Sequence, residues 1–206
     1  MSDRRDAHVE VPTLQIGVQI PQVTISITHH AWATWATIAI DHERLAREAR
    51  VTAPEDELRP ALVAITSAAF SLDALYGSWV KHLDIPTPDD PRDEGARWKR
   101  VSEATRRGVS PGSVSASWRG RIEELYDQRD DAVHFDEVDR PPVWHQPLHS
   151  NAAAEHGYWS LDRATVAVDL VLEVLVGWRD SPSKFTTSWS KNYGSLVSSI
   201  AEKRRN

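Results

Sequence analysis

The sequence predicts a mostly α-helical bundle preceded by an N-terminal β-hairpin. Three observations point there. Apolar residues recur every three or four positions through most of the chain from residue 29 onward, strict alternation is confined to residues 14–27, and prolines gather in segments that separate the periodic stretches. The expected division is an N-terminal arm carrying the hairpin, residues 1–28, and a helical domain, residues 29–206.

The hairpin reading rests on Leu14, Ile16, Val18 and Ile20 on one side of Pro21, and Val23, Ile25 and Ile27 on the other. Period two on both sides of a proline turn gives one apolar face, which needs helices or a partner's strand against it because an isolated hairpin is marginal. Its edge offers unpaired backbone groups to a second chain. Residues 29–50 then change to helical spacing, with Trp32, Trp35, Ile38, Ala39, His42 and Leu45 as the expected apolar face. Residues 54–83 carry the clearest pattern: Leu58, Leu62, Ile65, Ala69, Leu72, Tyr76, Trp79 and Leu83 form a seam for lengthwise helix packing.

The proline-rich stretch DIPTPDDPRD is a loop, a short helix follows at 95–107, and GVSPGS breaks the chain again. Ser113 or Ser115 is placed to cap a helix running to about Phe135. Residues 136–158 contain Pro141, Pro142 and Pro147 and no period, so an irregular segment of functional or mobile character is expected. The stretch 161–179 is apolar nearly all round and must be covered on most sides, at the centre of the bundle or at a subunit contact. A weaker amphipathic helix over 183–204 brings Phe185, Trp189, Tyr193, Leu196, Val197 and Ile200 to one face, with Arg204 and Arg205 read as a solvated tail.

Cysteine is absent, which removes disulfides and thiolate metal sites. The start, MSDRRDAHVE, has no apolar run after its charges, and the sequence shows no uninterrupted apolar stretch of membrane-spanning length, so a soluble cytoplasmic protein with no membrane partner is expected. The net charge of −6 argues against a general nucleic-acid binder. That average hides a reversal: Arg92, Arg97, Lys99, Arg100, Arg106, Arg107, Arg119 and Arg121 face only Asp93, Glu94 and Glu103, a local +5 that leaves −11 for the rest. Such separation can turn one face toward an anion, although solvated helix faces with no ligand fit any single residue equally well.

The helix before Phe135 poses a sharper question. Trp118, Ile122, Leu125, Tyr126 and Val133 make its apolar stripe, and Arg129 lies within that stripe, four residues from both Leu125 and Val133. A guanidinium stays charged, so it needs a carboxylate partner, a water-filled cleft or an anionic ligand. Asp73, beside the long seam, is the expected buried partner. His134 stands about 140° round an ideal helix from Arg129 but one turn after Asp130, where the carboxylate can fix the imidazole's tautomer and the helix C-terminus favours its protonated form.

These residues carry a resemblance. RDDAVH, residues 129–134, is similar to the signature of HEPN domains, in which an arginine is followed by Asn, Asp or His and then, three residues on, by a histidine. The likeness extends over residues 28–178, through the long seam, the motif late in a later helix and the very apolar helix after it. It implies a homodimer with a composite active site and RNA cleavage that needs no metal and no cofactor. It further implies His134 as general base or acid for attack of the 2′-hydroxyl, Arg129 on the scissile phosphate and Asp130 orienting His134. Arg97, Lys99, Arg100, Arg106, Arg107, Arg119 and Arg121 would then bind RNA. A toxin or antiviral-defence effector, with a regulatory or antitoxin partner, fits that family, as does an inactive dimerisation or binding module. In one toxin subgroup a tyrosine two residues after the histidine is modified with AMP; Asp136 stands there in this chain, which argues against a partner nucleotidyltransferase of that type.

The plainer alternatives are stated beside these. Arg129 and His134 could be a structural ion pair and a helix cap. His145, His149 and His156 sit in a proline-broken segment and read as surface-loop residues with no metal role. Among the nine tryptophans, Trp98 and Trp118 lie in the basic stretch and could stack bases, with core packing the default.

Overall fold

The computed structural model describes residues 30–82, 97–112, 117–133 and 141–205. The expected N-terminal hairpin, His134, Arg92 and both proposed capping serines lie outside the described residues.

Helix α1 (Ala31–Thr52) and α2 (Leu58–His82) form an antiparallel pair across a short 3-10 turn at Pro54–Asp56. Their interface is made of small residues: Ala33, Ala36, Ala39 and Ala46 on α1 meet Ala61, Ala64, Ala68 and Ala69 on α2, all buried. Without bulky side chains between them the two helices can pack closely, and the Ser71 hydroxyl reaches the Trp32 carbonyl at 2.9 Å. The α2 seam is as expected through Ile65, Ala69, Leu72 and Tyr76, with Leu58 and Leu62 half-buried at its margin. On α1 the face is rotated from the expected one. Leu45 is 43% exposed while Ile40, Ala46 and even Glu43 are buried, because alanines rather than the large residues line the contact with α2. Trp35 instead packs against Phe70, ring centroids 5.1 Å apart and planes tilted by 54°.

Pro54–Ser78 is long and apolar enough to cross a membrane by length and composition alone, although Glu55, Asp56, Glu57, Arg59 and Asp73 interrupt it, and half of its most apolar window is buried inside the bundle. Its contacts are with α1, α3 (Arg97–Arg107), α4 (Trp118–Val133) and α6 (Leu161–Asp180). The apolar α6 lies at the centre as its composition demands, touching α1, α2, α4 and α7 (Thr187–Arg205). Trp178 at its C-terminal end is fully buried and packs edge-on to Trp189, which with Trp32 and Tyr193 forms an aromatic end to the core.

Residues expected to be irregular carry structure. Strands β1 (Val143–His145) and β2 (Ser150–Ala152) pair antiparallel with Trp144 opposite Asn151, and a five-residue helix α5 (Ala154–Tyr158) follows. Strands of three residues leave too little sequence for a period to show.

Two buried carboxylates tie the helices together. Glu43 on α1 accepts from the Thr165 hydroxyl on α6 at 2.9 Å and from Arg47, and forms an ion pair with Arg204 on α7 at 3.1 Å. Arg204 is therefore no part of a solvated tail: its side chain is 21% exposed, and neighbouring Lys203 bonds Asp41 at 2.7 Å. Glu57 accepts from Arg50 at 2.7 and 2.9 Å and from the backbone N–H of Leu161 at 2.6 Å. It caps α6, whose own N-cap Ser160 makes no side-chain bond, and an anion at that positive helix end is well placed.

Candidate active site

Asp73 is the centre of the arrangement around Arg129. From α2 it accepts three bonds: from Arg97 Nε on α3 at 2.7 Å, from the Tyr126 hydroxyl on α4 at 2.8 Å, and from Arg129 Nη1 on α4 at 3.1 Å. The aromatic rings cover the cations, with the Arg129 guanidinium 4.7 Å from the Tyr126 centroid and that of Arg97 4.5 Å from the Tyr76 centroid. Asp73 is thus the partner the sequence pattern called for. Burial pushes the Tyr126 hydroxyl far above its ordinary range, and the Asp73 charge adds to that, so it remains a donor. For Arg97, burial works to lower the pKa, and the bond and charge of Asp73 outweigh it, leaving a net upward shift.

Arg129 is 18% exposed, set among buried Leu125, Tyr126 and Gln128. Its Nε and Nη2 both donate to Asp130 Oδ1, the first at 2.8 Å. The two carboxylates differ in standing: the Asp73 side chain is 22% exposed and the Asp130 side chain 52%. The stripe ends earlier than the spacing implied, since Val133 is 58% exposed in the last turn of α4. Asp130 was expected to orient His134; among the described residues it engages Arg129.

The basic stretch is largely paired. Arg106 and Arg107 share Glu103, with bonds of 2.7 Å from each, and Arg121 reaches Glu173 at 2.6 Å. Glu103 is held below its ordinary pKa, chiefly by Arg106. Lys99 and Arg119 lie over the half-buried Trp98 ring, 5.8 and 5.6 Å from its centroid. Arg100 Nε is buried with no hydrogen-bond partner among the described residues. Trp118 is a core residue, 4% exposed, its indole N–H on Glu173. Sequence reasoning placed Arg97 with the RNA-binding residues and missed that it completes the Asp73 cluster, because a contact 24 residues away leaves no mark on periodicity.

The three histidines are not alike either. His145 is 5% exposed at the end of β1, and its ring lies 5.1 Å from that of His156 on α5. Neither Nδ1 has a hydrogen-bond partner among the described residues. Burial lowers the His145 pKa; His156 and Arg50 act the same way and Glu57 opposes them. Beside this pair Arg50, Gln146, His149 and Asp162 line an open cleft of about 400 Å³. No group of three or more residues able to hold a metal ion occurs among the described residues.

Comparison of the chain with protein-family models, curated proteins and solved structures gave no match.

Proposed function

We propose that the protein is a metal-independent endoribonuclease of HEPN type, acting as a homodimer in a toxin or antiviral-defence role. What supports this reading is the setting of Arg129: an arginine fixed from behind by Asp73 and Tyr126, whose only other carboxylate, among the described residues, is the half-exposed Asp130. An exposed pair of that kind is worth little, so a phosphate can take the place of Asp130 on the guanidinium. In the reaction the ribose 2′-oxygen attacks phosphorus and its proton passes to neutral His134. The bond from phosphorus to the 5′-oxygen breaks, the leaving oxygen takes up a proton, and a 2′,3′-cyclic phosphate and a 5′-hydroxyl remain. Arg129 stabilises the charge on the phosphoryl oxygens as it grows.

A second reading, an inactive HEPN-like binding or dimerisation module, is favoured by one observation: all three guanidinium nitrogens of Arg129 already donate to carboxylates of the same chain. The two separate on labelled total RNA in excess EDTA, wild type against His134→Ala, with melts to show that both are folded. Cleavage by wild type alone, leaving cyclic phosphate ends, carries the nuclease reading; no cleavage by either carries the module.

A further inference from the structure

At the end of α3 away from Asp73, two loops are laced together. The Ser110 N–H donates to the Ser181 carbonyl at 2.8 Å, the Ser183 N–H to the Gly108 carbonyl at 3.0 Å, and the Ser110 hydroxyl to the Pro182 carbonyl at 2.8 Å. Trp178 closes the seam from below, its indole N–H on the Thr105 carbonyl at 3.0 Å. Above this fixed floor opens a cleft of about 560 Å³, whose walls carry Arg106, Arg107, Lys184 and Phe185.

The chemistry of these walls is specific. Arg106 and Arg107 share the single carboxylate of Glu103, and Lys184 has no carboxylate partner among the described residues, so cations outnumber acids here in a chain of net charge −6. Phe185 is 38% exposed, with Lys184 Nζ 5.0 Å from its ring centroid. It was expected on the apolar face of the last helix; it precedes that helix, at the cleft, where it adds little to the core. A backbone-tracking cation beside a partly exposed aromatic ring is the arrangement by which proteins hold unpaired nucleotides.

We infer that this cleft seats one nucleotide of a single-stranded RNA, its phosphate on Lys184 and Arg106 and its base on Phe185. The inference rests on the ribonuclease reading and names a substrate subsite for it. Arg97, bonded to the carboxylate that holds Arg129, and Arg107 at the cleft are the two ends of α3, so the Asp73 cluster and the cleft flank a helix roughly 15 Å long. A stacked strand covers that in about four nucleotides at 3.4 Å each. The subsite requires unpaired RNA, because a duplex buries the base face that Phe185 would take.

The test is fluorescence anisotropy with a labelled, uncleavable 2′-O-methyl RNA 12-mer, single-stranded and as a duplex. The proteins are wild type, Phe185→Ala, Lys184→Ala and, to keep the test independent of any lost packing, Lys184→Glu. Expected are preference for the single strand, about tenfold weaker binding in Phe185→Ala, and a salt dependence about 0.7 shallower in log–log slope in Lys184→Ala, with a larger loss in Lys184→Glu. Wild-type binding left unchanged by all three substitutions overturns the subsite and leaves the nuclease reading standing. No binding of either RNA by wild type overturns the subsite as well. Binding that depends on Lys184 and Phe185 in a protein that cleaves no RNA upholds the cleft and removes the nuclease reading.

Discussion

The Tyr126 hydroxyl on α4 donates to Asp73 on α2 over 2.8 Å, and the same ring lies against the guanidinium of Arg129. One side chain therefore sets both the carboxylate and the cation of the candidate site. Tyr126→Phe keeps the ring and removes the bond, which should cost about 1–2 kcal/mol and lower the melting temperature by a few degrees. Asp73→Ala takes one acceptor from each of two arginines and the only one, among the described residues, of the buried tyrosine hydroxyl, and about 2–4 kcal/mol is expected after allowing for partial exposure and for the bonds Arg129 keeps to Asp130. Calorimetry of both variants checks the order.

Replacing Arg129 by lysine preserves charge but not the fork that spans two acceptors. If phosphate is the ligand, Arg129→Lys should retain the fold and lose about 10²–10³-fold in RNA cleavage, close to Arg129→Ala. Single-turnover cleavage measured beside melting curves separates this from a structural role, in which stability falls and the specific activity of folded protein does not.

Glu57→Gln should destabilise the bundle more than its place in a short connection implies. The amide can still accept from Leu161 but no longer neutralises Arg50, and about 2–4 kcal/mol is expected from the loss of a buried charge at a helix N-terminus. Urea unfolding gives the number. Asp162, which also bonds Arg50 but is 81% exposed, should matter far less when changed to Asn.

His145 makes stability depend on pH. Its folded pKa lies below the ordinary 6.5, so as pH falls the unfolded chain takes up the proton first. Its contribution is therefore complete above about pH 6.5 and is lost on acidification, at no more than about 1.4 kcal/mol per pH unit. His145→Phe should flatten the melting profile between about pH 7 and 5 relative to wild type; an unchanged slope would assign the acid sensitivity to other groups.

Gly108 admits no side chain. A Cβ there would stand 2.2 Å from the Trp178 indole, which is fully buried and cannot swing away. Gly108→Ala should cost about 1–3 kcal/mol or more and, by shifting the floor of the cleft, weaken RNA binding as well. Anisotropy on a melted-and-refolded control distinguishes the two effects.

How far the sequence reached follows from the physics of each element. Helices α2 and α6 were legible because large apolar residues repeat over many turns, and α4 because its stripe runs from Trp118 to Tyr126. The α1 face was misplaced because alanine carries little weight in a hydrophobic pattern yet decides how close two helices come. The partnership of Asp73 with Arg129 could be anticipated from the need to neutralise a cation in a stripe. That Arg97 and Tyr126 share the same carboxylate, and that Glu57 caps a helix 104 residues away, are facts of tertiary geometry with no local signature.

The bridges from α7 back to α1 bear on how the chain comes into being. Lys203 and Asp41 are 162 residues apart, and Arg204 reaches the buried Glu43 on the same helix. A ribosome makes α1 long before it makes these cations, so the nascent helix carries an acid destined for the interior with only Arg47 and, later, Thr165 to hold it. Docking of α7 is thus a late, long-range step that seals the charge inside, and a protein halted before α7 would keep that seam open to water and to other chains.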